Sequence, residues 1–577
     1  MASSLALGVL VMTAFSASAL ATPKEELGTS WSVEEGYSLD VLADGFALPT
    51  SLAAVEHPSD EPRAPKLFVT ELRGTIKVIA NDNSSSVFGK IQTFTPKADW
   101  PDNEGEAGMA GVCLDDEHGY VFVTYAYRDA NGVMRNGISR FTAEPHTFQG
   151  PARDQRDLGQ FLVAEPSSFS HQIGNCTVHG GQLYVSVGDA GNPALSAKVE
   201  SPLGKILRLT LDGEPVPSNP FPSKGEAGPR VFVVGLRNPF GLVFAGERLF
   251  VAENGVSLDR FLEVSGGHDY HWDGSDASIA TNAAVVFVPT IGPVQTIHVP
   301  AGSSPLSAAD HDRFLIAASD GRQGPGVMVV DYNLSDSMVL QAPHHLVLYD
   351  GNQDGVAVTG IAMTKDGACF VPILPVGGAG VVLVTRYQPQ AAHNRIIGKT
   401  ALAGDLLSTS GCYGCHSRDG VGAHVGPNLD INSLLTRLET RVLSAEYAQQ
   451  VAKLDTLTDE AIVNGEKGRH EVLAAPPETR VRTWIVNRLL NPKFDNPDAQ
   501  MPNLNLTREK AEALAGELIG AAEPKKSKWR ELAGDKRFLE GTAFGGLGAA
   551  AAAGLVLLLL RRSKRARALG EQPPPAA

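Results

Sequence analysis

One short apolar strand recurs six times in the first 390 residues of this 577-residue chain. It reads Leu67-Phe68-Val69-Thr70, Val121-Phe122-Val123-Thr124, Leu183-Tyr184-Val185-Ser186, Leu249-Phe250-Val251-Ala252, Phe314-Leu315-Ile316-Ala317 and Cys369-Phe370-Val371-Pro372. The intervals between first residues are 54, 62, 66, 65 and 55. Most copies are followed by a glycine turn and a further strand, as in Gly74-Thr75-Ile76-Lys77-Val78, Gly204-Lys205-Ile206-Leu207-Arg208 and Gly380-Val381-Val382-Leu383-Val384. A unit of this size holds about four strands, and evenly repeated units of that kind stack radially rather than as a sandwich. The repeat therefore predicts an all-β six-bladed β-propeller over residues 30–388, with the uneven spacing taken up by loops on one face.

The same repeat locates a site. Each copy follows a tight turn, His179-Gly180-Gly181 in the third and Ala245-Gly246-Glu247 in the fourth. The two free ends of such a hairpin lie on one edge of its blade. Those ends carry His171 and Asp189 in the third unit, and Arg237-Asn238 and Asn254 in the fourth. A base, a guanidinium and amide oxygens from neighbouring blades thus converge on one face, as an oxidoreductase pocket requires.

A second motif belongs to different chemistry. Gly411-Cys412-Tyr413-Gly414-Cys415-His416 is the Cys-x-x-Cys-His pattern of covalent haem attachment. Two thiols at this spacing can each form a thioether to one haem vinyl group, and the adjacent histidine can ligate the iron. A zinc site would need a second Cys/His pair, and no cysteine follows Cys415. Downstream, His424, His470 and Met501 could supply a sixth ligand. Met501, before Pro502 and a helical pattern from Thr507, is the expected one, and His/Met ligation suits electron transfer.

The formal charge of −15 argues against nucleic acid as a partner. Cys113, Cys176 and Cys369 remain beyond the haem pair; an odd set cannot all pair, and they read as mostly buried thiols with one disulfide left open. Residues 1–21 read as a signal peptide, with an apolar run from Leu5 to Phe15 and small residues at Ala19 and Ala21. Residues 541–560 carry no charge, and at about 1.5 Å per residue such a helix spans the roughly 30 Å hydrocarbon core. Arg561, Arg562, Lys564, Arg565 and Arg567 follow at once, which places the tail 561–577 in the cytoplasm. The expectation is a single-pass protein of the cytoplasmic membrane, its bulk periplasmic, with 521–540 as a juxtamembrane linker.

Two stretches carry a family likeness. Cys412 to His416, Gly426-Pro427-Asn428-Leu429, Trp484-Ile485, Asn491-Pro492 and Met501-Pro502 resemble the class I cytochrome c family over residues 397–520. That resemblance implies an all-α cytochrome c domain with haem c held by Cys412 and Cys415, its iron between His416 and Met501. Upstream, Leu203-Gly204-Lys205-Ile206-Leu207-Arg208, Pro217-Ser218-Asn219-Pro220-Phe221, Gly235-Leu236-Arg237-Asn238-Pro239-Phe240-Gly241, Ala252-Glu253-Asn254-Gly255 and Glu106-Ala107-Gly108-Met109-Ala110-Gly111 resemble the soluble quinoprotein glucose/sorbosone dehydrogenases. This resemblance implies oxidation of a sugar or polyol with pyrroloquinoline quinone (PQQ) and Ca²⁺. It maps the base onto His171, its orienting carboxylate onto Asp189 and the cation at the quinone oxygen onto Arg237. It maps cofactor contacts onto Asn238 and Glu106, and the calcium ligands onto Asn254, Gly255 and Val256. Electrons would pass to the haem and on to a membrane respiratory-chain acceptor.

The late hairpins depart from that pattern. They read Ala318-Ser319-Asp320-Gly321-Arg322 and Gly355-Val356-Ala357-Val358-Thr359-Gly360, without the lysine and arginine pair that grip the PQQ carboxylates in the family. A rival reading follows, in which the propeller is a non-catalytic docking module on a membrane-anchored electron carrier.

Overall fold

In a computed structural model, the chain is described over residues 23–519, apart from 95–106, 303–304, 307–308, 310, 320–322, 342, 352–355, 374–379, 394, 398–405, 411, 423–425, 457–462, 498, 500, 502–503 and 505. Six antiparallel sheets follow one another along the first two thirds of the chain and form a six-bladed β-propeller. The first four blades are consecutive meanders, opening with the inner strands Pro49–Ala54, Met109–Asp115, Ile173–His179 and Asn238–Ala245. The fifth opens with Pro293–Val299 and the sixth with Ala357–Thr364.

Every copy of the recurring motif is the second strand of its blade. Phe68, Val121, Leu183, Phe250, Phe314 and Phe370 are all fully buried. Such strands lie between neighbouring sheets and read as unbroken apolar runs rather than as alternation. The turns before them behave as expected. His179 pairs with Gln182, so Gly180 and Gly181 form a two-residue hairpin with φ of +56° and +68°, the conformation glycine adopts without strain.

Crowding at the ring axis shapes the inner strands. All six carry a register shift near their upper end. A bulge bends a strand and tightens its twist, which lets the blades converge. At Gly111, an added Cβ would lie 2.7 Å from Thr124 Oγ1 and 2.8 Å from the Asn175 backbone. The axis itself is polar: Ser51 Oγ lies 3.1 Å from Asn175 Oδ1, and the Gln295 amide bonds the backbone N–H groups of Leu52 and Ile361 and the Leu52 carbonyl. Inner strands of blades 1, 3, 5 and 6 are thereby tied across the centre.

The ring is closed by the start of the chain. Tyr37–Phe46 is the outermost strand of the sixth blade, paired with Gly380–Tyr387. Trp31–Val33 extends the fifth blade along His344–Tyr349. The chain then crosses from blade 6 along the outside of this N-terminal segment, where Val33 N–H donates to the Arg395 carbonyl at 3.1 Å and Arg395 pairs with Asp350 at 2.6 Å.

A helical unit follows, with its longest helices Ile431–Val442, Pro477–Leu490 and Arg508–Ile519 packed on one apolar core around Trp484, Ile485, Leu514 and Leu518.

Two sequence expectations are corrected. Cys113 and Cys176 are not thiols: they form a disulfide between the inner strands of blades 2 and 3, because the ring sets their Cα atoms 5.7 Å apart. Cys369 is a buried free thiol. The single-pass membrane placement is also overturned, since among the described residues no helix is long and apolar enough to cross a membrane. The segments that carried that reading, 541–560 and the tail 561–577, lie outside the described residues, as do the signal segment 1–21 and the linker 521–540.

Candidate active site

His171 and Asp189 meet where blade 3 begins and where its second strand ends. His171 sits just before the inner strand with φ of +52°, and its carbonyl accepts the Ala190 N–H at 3.1 Å. The two edges are pressed together at Gly188, where a Cβ would stand 2.3 Å from the His171 carbonyl oxygen. This approach brings His171 Nδ1 within 2.7 Å of Asp189 Oδ1. A carboxylate only accepts, so Nδ1 carries the proton and Nε2 is the nitrogen left for other chemistry.

Asp189 is 1% exposed, against 18% for the histidine, so the pair presents its imidazole side. Its other oxygen, Oδ2, accepts the Trp272 indole N–H at 2.8 Å, and Oδ1 also accepts the Gly191 N–H at 2.8 Å. Burial alone would raise this carboxyl, but the hydrogen bonds from His171 and Trp272 outweigh it and hold the pKa below the ordinary value.

Blade 4 supplies the guanidinium. Arg237 precedes the inner strand, and its backbone carbonyl accepts the Asp189 N–H at 2.7 Å, joining the two blades at the site. Its Nη1 donates to the Asn254 carbonyl at 2.9 Å, and its Cζ lies 5.7 Å from the Trp272 ring centre. Burial lowers the Arg237 pKa, and the nearby Asp189 and Glu253 carboxylates oppose that shift. Its backbone N–H is taken by Glu253, which also pairs with Arg260 at 2.6 Å; both of those side chains are fully buried. Asn238 is nearly buried and opposite Asn254 across the hairpin.

The next loop is tight and oxygen-rich. A Cβ on Gly255 would collide with the Leu258 carbonyl, so only glycine fits. Asn254 Nδ2 donates to the Pro293 carbonyl at 2.7 Å, which leaves the amide oxygen as the donor atom of that side chain. Asp259 and Asp276 accept the N–H groups of Gly255 and Ser257 at 2.9 and 3.0 Å, placing two carboxylates under the loop. Val256 is exposed. Among the described residues no group of three or more His, Cys, Asp or Glu side chains is arranged to hold a metal ion. Glu106 and Arg322 lie outside the described residues.

In the helical unit, Cys412 and Cys415 sit on one short turn, where the Cys415 and His416 N–H groups donate to the Cys412 carbonyl at 3.2 and 2.8 Å. His416 Nδ1 is 2.6 Å from the Pro427 carbonyl, which fixes Nδ1 as the protonated nitrogen and leaves the Nε2 lone pair available. Burial lowers the His416 pKa, with the Pro427 hydrogen bond opposing. Gly426 lies flat against the ring; a Cβ there would stand 2.4 Å from His416 Cε1. Cys412 belongs to the unit's apolar cluster, and Met501 packs against that same cluster. His470 instead pairs with Asp455 at 2.9 Å on the surface, and His424 lies outside the described residues.

The two units touch beside the site. Leu504 joins Leu258, Trp272, Ile279, Ala280 and Val286 of blade 4 in one buried cluster, with Met501 and Leu506 packed on it. Lys510 Nζ donates to the Ala284 carbonyl at 2.7 Å, and burial lowers its pKa to about 8.

The structure thus brings His171, Asp189, Arg237, Asn238 and Asn254 together on one propeller face. Trp272, Glu253 and Arg260 were missed by sequence reasoning. Glu253 and Arg260 had a signal, as charges in otherwise apolar strands, but their pairing depends on a strand register that sequence alone does not fix. Trp272 stands in a long loop with no periodicity to mark it.

Residues 55–284 match the family model described as Glucose / Sorbosone dehydrogenase. An uncharacterized protein of Synechocystis is 24% identical over 280 residues, covering 43% of this chain and 66% of that protein. Quinoprotein glucose dehydrogenase B of Acinetobacter calcoaceticus is 24% identical over 234 residues, covering 36% of this chain and 48% of that protein. The chain therefore spans less than two thirds of either relative. Among solved structures, the PQQ-bound aldose sugar dehydrogenase of Streptomyces coelicolor aligns with 62% of this chain and 100% of its own, at 20% identity and a TM-score of 0.45.

Proposed function

We propose that this propeller, of the glucose/sorbosone dehydrogenase family over residues 55–284, oxidises a sugar or polyol hydroxyl at His171 and delivers the electrons to a haem in the helical unit. The observation that carries the reading is the chain of contacts from His171 through Asp189 to Trp272, with Arg237 beside it and the helical unit against its far end.

PQQ, when bound, supplies the hydride acceptor. His171 Nε2 would take the proton from the substrate hydroxyl oxygen; imidazole suits this because its ordinary pKa lies near neutrality. Asp189 holds the ring in the tautomer that leaves Nε2 free and favours the charge it acquires. Arg237, with Nη1 held by the Asn254 carbonyl, would offer its remaining N–H groups to negative charge on a bound acceptor. Asn238 would contribute an amide contact to the cofactor. The amide oxygen of Asn254 and the carbonyls of Gly255 and Val256 are hard donors of the kind Ca²⁺ takes, and Asp259 and Asp276 under the loop favour a cation there.

Cys412 and Cys415 would hold a c-type haem, with His416 and Met501 as ligands to its iron, and it would supply a one-electron carrier. The residues fit it: Nδ1 of His416 is engaged, Gly426 clears the ring face, and Met501 packs on the cluster that buries Cys412. Fusion makes the transfer intramolecular, which raises the effective concentration of donor at acceptor. A respiratory-chain component is the expected onward acceptor.

The second reading, a non-catalytic docking propeller on an electron carrier, is favoured by the late hairpins, which lack the lysine and arginine pair for three PQQ carboxylates. One experiment separates the two. The full chain is given PQQ, Ca²⁺ and a panel of aldoses and polyols while the haem absorbance is followed, and PQQ binding is measured by calorimetry. Haem reduction with at least one substrate is expected. No reduction with any substrate, together with no heat of PQQ binding, establishes the docking reading instead.

A further inference from the structure

One ring connects the two halves of the molecule. Trp272 is 4% exposed, and its N–H holds the inner oxygen of Asp189 at 2.8 Å. The rest of the indole is packed in the cluster that Leu504 completes from the helical unit, with Met501 and Leu506 against it. The propeller therefore does not by itself enclose the residue that aims its carboxylate.

An indole is a rigid plate, so a displacement at its packed edge appears at its N–H. A hydrogen bond of this length weakens steeply once the donor angle falls below about 120°. Asp189 has no slack to absorb the change, since Oδ1 is shared by His171 and the Gly191 N–H.

We propose that Trp272 is a positioning residue through which the seating of the helical unit, at Leu504 and its neighbours, sets the orientation of the His171–Asp189 pair. The inference rests on the reading of His171 as the base, and deepens it: the helical unit is a structural part of the propeller's site as well as the destination of its electrons. The other charged groups around the pair, Arg237 and Lys205, belong to the propeller and are common to every variant below.

The test uses the full chain without added cofactor or sugar. The pH midpoint of His171 is read from exchange of its imidazole C2 hydrogen by mass spectrometry. Amide exchange at Tyr270 and Trp272, whose N–H groups both donate at 3.0 Å to the carbonyls of Val234 and Gly235, reports whether the loop stays folded. Leu504→Ala removes the seat without touching the pair; Trp272→Phe keeps an aromatic ring, a smaller one, and deletes the N–H. Each is expected to move the His171 midpoint by about half a unit or more, and the double variant to move it no further than Trp272→Phe alone, since coupled residues are not additive. An unchanged midpoint in Leu504→Ala, or shifts that simply add, overturns the proposal. If Leu504→Ala unfolds the loop, Leu506→Ala, on the edge of the same cluster, replaces it with the same two outcomes. The readouts are independent of turnover, so loss of this coupling and loss of the dehydrogenase reading are separate results.

Discussion

At the scale of residues, Asp189 is the most exacting position. It accepts from His171, Trp272 and Gly191 at once, and only a carboxylate can do so. Asparagine would turn an N–H₂ toward one of those donors. Asp189→Asn is therefore expected to lower turnover by about 10²–10⁴-fold with the fold intact by circular dichroism. The same carboxylate makes the site acid-labile in a defined sense. Its folded-state pKa lies below the ordinary value, so its stabilising contribution is complete above about pH 4 and is lost as pH falls through the lowered folded value. Urea titrations across that acidic range should show a steeper loss of stability in the native chain than in Asp189→Asn. The meeting of His171 and Asp189 was legible in sequence because the hairpin rule puts both at one blade edge. Trp272 was not, since its role depends on a loop folding back over a neighbouring blade.

At the scale of elements, the inner strands decide how closely the blades pack. Gly111→Val would drive methyl groups into Thr124 and the Asn175 backbone, and overpacking of this kind costs about 1–3 kcal/mol, readable as a lower urea midpoint. The Cys113–Cys176 bridge works on the same neighbours. It closes a loop with a sequence separation of 63, for which the chain-entropy model gives about 4 kcal/mol. The Cys113→Ala/Cys176→Ala pair should unfold at lower urea, and dithiothreitol should affect the native chain but not the variant. The second strands and their glycine turns could be read from sequence because their signals are local: a short apolar run and a two-residue turn. The bridge could not, since it joins two blades whose angular spacing no local pattern records. The fifth blade's added strand, Trp31–Val33, escaped for the same reason.

At the scale of the molecule, the ring is held shut by its first residues. Removing residues up to 46 would strip the outer strands from blades 5 and 6 and expose the edges of His344–Tyr349 and Gly380–Tyr387. Unpaired edges of that length template aggregation, so such a truncation should elute as aggregate in size-exclusion chromatography. The six-bladed ring was legible, because its second strand recurs six times. The docking of the helical unit was not. It leaves the ring after blade 6 yet rests on blade 4, and nothing in either sequence segment names the other.

The closure by Tyr37–Phe46 also sets an order of assembly. Tyr37–Phe46 pairs with Gly380–Tyr387, the last strand of the ring, so it must wait, solvent-exposed, while five blades are made after it. Blade 4, the surface on which the helical unit will rest, is complete well before that unit exists. The chain is thus built with its receiving surface early and its latch late, and the newborn N-terminal segment is where a chaperone would have most to protect.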